Sequence, residues 1–113
     1  MSDGHVILVG SDFFGRGDQR LGTTLAGQFF RALARREEGL PAAIVFMNSG
    51  VRLLVEGSPV LTHLQELEGR GVTVVADRAS VQHFDLEDRI EVGDSLPMAD
   101  LLDHLLAGPV VTL

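Results

Sequence analysis

The sequence predicts an α/β domain in three layers, with a mainly parallel five-stranded sheet between helices. Three observations predict it. Short apolar runs such as Val6-Ile7-Leu8-Val9 recur without alternation, stretches of helical period separate them, and Gly, Asn, Asp or Ser closes most of them. A strand that is apolar at every position is buried on both faces, and strands that alternate with helices pair in parallel.

Residues 6–9 make the first strand, ended by Gly10. From residue 19 to 38 the period lengthens: Leu21, Leu25, Phe29 and Leu33 fall four apart, one stripe of an amphipathic helix that Asp18 caps. The second strand covers residues 42–47, entered through Pro41 and left through Asn48-Ser49-Gly50, and a short helix is expected over 51–55. Ser58-Pro59 then supplies an N-cap and a first-turn proline for a helix carrying Leu61, Leu64 and Leu67, which Gly69 and Gly71 end. Residues 72–76 form the third strand, followed by a short helix with Val81 and Phe84 facing inward. Ile90 and Val92 alternate as a short fourth strand. Pro97 opens a helix with Met98, Leu101, Leu102 and Leu105 on one side, Gly108-Pro109 stops it, and residues 110–113 are the fifth strand.

Composition narrows the function. A chain of 113 residues is expected to be one domain that buries a core without metal or disulfide staples. With 45% hydrophobic and 22% charged residues, no basic apolar leader and no apolar run long enough for a membrane span, a soluble cytoplasmic protein is expected. The formal charge is −7 and the nine basic residues are scattered, so nucleic acid is not an expected partner. All nine are arginine, which excludes Schiff-base lysine chemistry and a P-loop lysine but leaves anion binding open. There is no cysteine, and therefore no disulfide and no thiolate.

In open parallel sheets, ligands bind in the crevice beyond the carboxyl ends of the strands. Four segments are expected to converge there: Gly10-Ser11-Asp12, Asn48-Ser49-Gly50, Asp77-Arg78-Ala79-Ser80 and Gly93-Asp94-Ser95. Ser11, Asp12, Arg16, Asn48, Ser49, Gly50, Arg78 and His83 are the candidate ligand or partner contacts. Gly15-Arg16-Gly17 lacks both the dinucleotide spacing and the P-loop lysine of a phosphate cradle, and reads first as a flexible turn into the first helix. Asp77, Ser80 and His83, three apart, share a helix face as a triad would. The competing reading makes Asp77 the cap of the helix that follows and Ser80 a first-turn residue. His5, His63, His83 and His104 lie on separate elements without ligand spacing, so no metal and no cofactor is expected. Glu87-Asp88 and Asp100 with Asp103 read as solvated carboxylates.

Beyond these local signals, Val6-Ile7-Leu8-Val9-Gly10-Ser11-Asp12, Gly15-Arg16-Gly17-Asp18 leading to Leu21-Gly22, and Ile44-Val45-Phe46-Met47-Asn48-Ser49-Gly50-Val51 follow a family order. It continues through Glu56-Gly57-Ser58, Phe84-Asp85-Leu86-Glu87-Asp88-Arg89 and Val92-Gly93. In these segments the chain resembles the DsrE/DsrF-like superfamily, within it the DsrE-like domain of YedF-type sulfurtransferase-like selenium metabolism proteins. The resemblance implies a flavodoxin-like fold, oligomeric assembly and a protein partner in a sulfur relay. Many of those relatives read Cys-Gly-Thr-Cys-Leu after the third strand; here Asp77, Arg78, Ala79, Ser80 and Val81 stand there, so Asp77 and Ser80 match the family cysteines. A persulfide needs a thiolate, which neither residue supplies.

The expected function is accordingly a cysteine-less DsrE-like protein, a non-catalytic homo-oligomeric subunit or binding module of a sulfur or selenium system. Leu53, Leu54 and Val55 are its expected exposed apolar patch. The alternative is a small anionic ligand held at the strand ends by Arg16, Arg52 or Arg78. A hydrolase-like use of Ser80 or Asp77 ranks third.

Overall fold

The strands at the centre of the sheet are short and apolar because both faces of the sheet are covered: four apolar residues suffice for each of the first two. The computed structural model describes residues 4–113. Strands β1 (Val6–Val9), β2 (Ala43–Phe46), β3 (Thr73–Asp77), β4 (Asp94–Leu96) and β5 (Val110–Thr112) form one parallel sheet in the order β4-β3-β2-β1-β5. Helices α1 (Gln19–Ala34), α2 (Leu61–Gly69), α3 (Arg78–His83) and α4 (Met98–Leu105) connect them, with a 3-10 helix over Asn48–Leu54. This is the three-layer, flavodoxin-like α/β architecture that the sequence predicts.

The strand order dictates where the helices lie. From β1 to β4 every connection steps the same way, so right-handed crossovers put α1, α2 and α3 on one face. The step from β4 back to β5 crosses the whole sheet and puts α4 alone on the other. Packing agrees: Ile7, Val9, Ile44, Phe46, Val74 and Ala76 meet Phe30, Leu33, Leu64, Leu67 and Val81. On the opposite face Val6, Ala43, Val45 and Val75 meet Leu101, with Leu105 beside it. A single helix of eight residues therefore roofs that face.

Five details differ from the sequence reading, the first being that α2 starts at Leu61 after Val60 with no side-chain cap, so Ser58 and Pro59 precede the helix rather than open it. The buried stripe of α1 is Gly22, Ala26, Phe30 and Leu33, one residue on from the predicted register, while Leu21 and Leu25 are 56% and 41% exposed. Gly22 sets the register, because the chain folds back there and a Cβ would lie 2.7 Å from the Phe14 carbonyl oxygen. The short helix expected over 51–55 begins at Asn48 instead, taking the whole second loop into a 3-10 helix. Its Leu53 and Leu54 are 4% and 0% exposed, so the expected apolar patch is core. Finally, β4 is Asp94–Leu96 rather than the Ile90-Val92 segment; Ile90 instead makes an isolated antiparallel bridge to Val55. Asp94 and Ser95 thus lie within a strand, not beyond its carboxyl end.

Candidate functional site

The site grows out of the last residue of β3. Asp77 has extended backbone and caps α3: its Oδ2 accepts the Ser80 N–H at 3.0 Å. Ser80 turns its hydroxyl inward in the first turn of that helix, donating to the same Oδ2 at 2.6 Å. The Ser80 Oγ in turn accepts the backbone N–H of Asn48 at 2.8 Å. The end of β2 and the end of β3 are thereby tied through one hydroxyl. Asn48 reaches this position with φ of 50°, a left-handed conformation that Asn tolerates better than most residues. Two residues on, Gly50 passes so close to β1 that a Cβ would lie 2.5 Å from the Val9 carbonyl oxygen.

These residues wall a cavity of about 460 Å³ beyond the carboxyl ends of β2 and β3. Asp77, 7% exposed, and Ser80 form one side, and Asn48 and His83 contribute further polar groups. Met47, Ala79 and Phe84 supply apolar wall. The His83 ring stands edge-on to Phe84 with centroids 4.9 Å apart. Among the described residues no hydrogen bond joins His83 to Ser80, whose proton already goes to Asp77. The triad geometry is absent, and the capping role of Asp77 is the one realised.

The other predicted contacts are dispersed. Ser11 accepts the Phe13 N–H at 3.2 Å and closes its own turn. Asp12 and Arg52 line a separate 300 Å³ cavity with Thr23, Glu56 and Ser58. Arg52 stacks 4.3 Å above the Phe84 ring centroid. Arg78 donates to the Ser95 carbonyl at 3.2 Å and lines a third cavity with Gln82, Glu87 and Asp94. Arg16 is exposed in its glycine turn, and Ser49 is half-buried at the start of the 3-10 helix. None of Arg16, Arg52 and Arg78 lines the cavity at Asp77. Among the described residues, no group of three or more His, Asp or Glu side chains is placed to hold a metal ion.

Sequence reasoning missed Phe84 and Met47 as cavity wall, and the Asn48 to Ser80 bond. Those partners lie 32 residues apart, a separation that no local motif signals.

The chain is similar in structure to the YchN protein from E. coli, with a TM-score of 0.72 and 17% identity over 97% of this chain and 98% of that one. It is likewise similar to MTH1491 from Methanobacterium thermoautotrophicum, a protein of unknown function, with a TM-score of 0.66 and 19% identity over 98% of this chain and 100% of that one. Both share this fold. No family model matches the sequence, and no curated protein matches it. At such identities the shared property is the architecture, and within it the end of β3 is where this chain builds its Asp77 and Ser80 cluster. No helix among the described residues is long and apolar enough to cross a membrane.

Proposed function

We propose that this chain is a cysteine-less, YedF-type DsrE-like protein that acts as a non-catalytic oligomeric subunit or binding module of a cytoplasmic sulfur or selenium relay. One observation carries the non-catalytic part: the Ser80 hydroxyl is engaged on both sides, as donor to Asp77 and as acceptor from Asn48. The Asp77 oxygen that takes its proton also caps α3, among the described residues no hydrogen bond to His83 completes a relay, and the hydroxyl oxygen holds the Asn48 N–H, so the group serves as the tie between two loops. With no thiol in the chain, a sulfur atom cannot be carried covalently as a persulfide. The shared fold of YchN and MTH1491 supports the superfamily assignment.

Support for assembly comes from the sparsely roofed face. Met98, Leu102 and Leu106 fall four apart on and just after α4, all exposed, Leu106 at 79%. On β5, Val110 and Val111 are also exposed, and strand alternation sends them to opposite faces. Clustered apolar exposure of this kind marks association surfaces. The alternative of an anionic ligand at Asp77 loses support, because the cavity presents a carboxylate and its three candidate arginines lie elsewhere.

The test is a native mass spectrum of the untagged protein, with persulfide labelling of the same sample. Subunits in a homo-oligomer without bound sulfane sulfur are expected. A strict monomer that also retains no partner polypeptide would sink the assembly reading.

A further inference from the structure

The cavity at the end of β3 has a definite chemical preference. Asp77 is the one buried charged or polar side chain of the described core. Both donors that reach it, the N–H and O–H of Ser80, go to Oδ2. Among the described residues no buried side-chain oxygen is left unpaired, so Oδ1, which receives no protein donor, is the oxygen open to the cavity. An ionised carboxylate offers about four lone-pair positions over its two oxygens, and an unmatched one at the side of a cavity attracts a charged donor. No arginine lines the cavity and the chain has no lysine; His83 is the one basic side chain on its wall, and it stands edge-on to Phe84 without a hydrogen bond to Asp77. Met47, Ala79 and Phe84 give the remaining wall an apolar character, and the −7 formal charge of the chain raises the local concentration of cations.

We propose that this cavity binds a primary ammonium group carried on a small apolar body. The ammonium donates to Asp77 Oδ1 and to the Asn48 side-chain carbonyl at the rim, while the apolar body lies against Phe84 and Met47. This deepens the reading of the site as a binding module, on which it rests, and reverses the charge expected of the ligand from sequence. Three donors on a compact charged head match one buried carboxylate oxygen and its polar neighbours. A carboxylate ligand would meet Asp77 with like charge. Aspartate and asparagine cap helices equally well, so Asp77→Asn removes the charge and keeps an oxygen for the Ser80 donors.

The experiment is a titration of 15N-labelled protein with benzylammonium, benzyl alcohol and benzoate, following the amide signals of Asn48 and Ser80. Saturable shifts are expected with benzylammonium, with affinity at least about tenfold lower for benzyl alcohol and for benzylammonium on Asp77→Asn. Glu37→Gln, an equal charge change at an exposed site outside the cavities described above, should leave benzylammonium binding unchanged; if it weakens binding as much as Asp77→Asn does, the attraction is diffuse and the proposal falls. Equal binding of benzyl alcohol or benzoate overturns the ammonium assignment while leaving a binding module in place. Absence of any saturable shift up to about 20 mM overturns the proposal outright, since a useful site holds its head group at millimolar strength or better.

Discussion

At the scale of single residues, Ser80 shows how a position that resembles a reactive one serves structure. Its hydroxyl joins Asp77 to Asn48, so removing it leaves a backbone N–H without its partner. Ser80→Ala should cost about 0.5–1.5 kcal/mol in urea unfolding while the far-UV spectrum stays native, the net worth of an ordinary hydrogen bond whose exposed donor can turn to water. Restoring a thiol should not restore a sulfur site. In Ser80→Cys the neighbouring carboxylate opposes thiolate formation and holds the thiol pKa up, so the reactive form is scarce at neutral pH. Alkylation by iodoacetamide at pH 7 should be slow, and adding Asp77→Asn should speed it roughly tenfold, one pKa unit's worth. Equal rates in the two variants would show that Asp77 does not govern the site. Gly50 is constrained by a different neighbour. A Cβ there would meet the Val9 carbonyl oxygen at 2.5 Å, a backbone contact that no side-chain rotation relieves. Gly50→Ala should lower the urea midpoint by an amount equivalent to about 2 kcal/mol or more, in line with overpacked sites.

At the scale of elements, the sequence placed every helix and four of the five strands, because period and punctuation are local properties. Asp18 caps α1 as expected, accepting the Leu21 N–H at 2.8 Å. Asp18→Ala should therefore cost about 1 kcal/mol, read from thermal unfolding. What period alone misjudged was the phase of α1. Leucines four apart look like the core stripe, but the helix is rolled so that Gly22, Ala26, Phe30 and Leu33 face inward. Phe30 packs among Phe14, Phe29 and Phe46, with ring centroids 5.1–6.1 Å apart. Phe30→Ala should cost about 3–5 kcal/mol, whereas Leu25→Gln, in an exposed position, should stay within about 0.5 kcal/mol. Equal losses from the two would contradict the roll of the helix. The weak fourth strand failed for another reason. Three residues with one apolar side chain, Asp94-Ser95-Leu96, carry little signal, and their pairing with β3 supplies the extended conformation.

At the scale of the whole molecule, the topology distributes helices unevenly, three on one face and one on the other. Leu101 is the fully buried anchor of α4. Leu101→Ala should cost about 2–5 kcal/mol and raise hydrogen exchange in α4 and β5 before the rest of the sheet. If exchange rises first in α1 or α2, the division of the core into two faces is wrong. On and around the lone helix and β5, Met98, Leu102, Leu106, Val110 and Val111 stay exposed, while on the three-helix face Leu21 and Leu25 do so on the outer side of α1.

Composition and hydrophobic period were enough to establish a parallel α/β domain, its strand-end crevice and the absence of thiol and lysine chemistry, because these depend on residue identity or on neighbours a few positions away. The phase of α1, the identity of β4, the burial of Leu53 and Leu54 and the tie between Asn48 and Ser80 were decided only by the folded chain. Each depends on which surface comes to rest against which, over separations of tens of residues. The sign of the candidate site follows the same division. Arginines are visible in a sequence, but whether they point into a cavity depends on packing, and here the charged group that lines it is the carboxylate of Asp77.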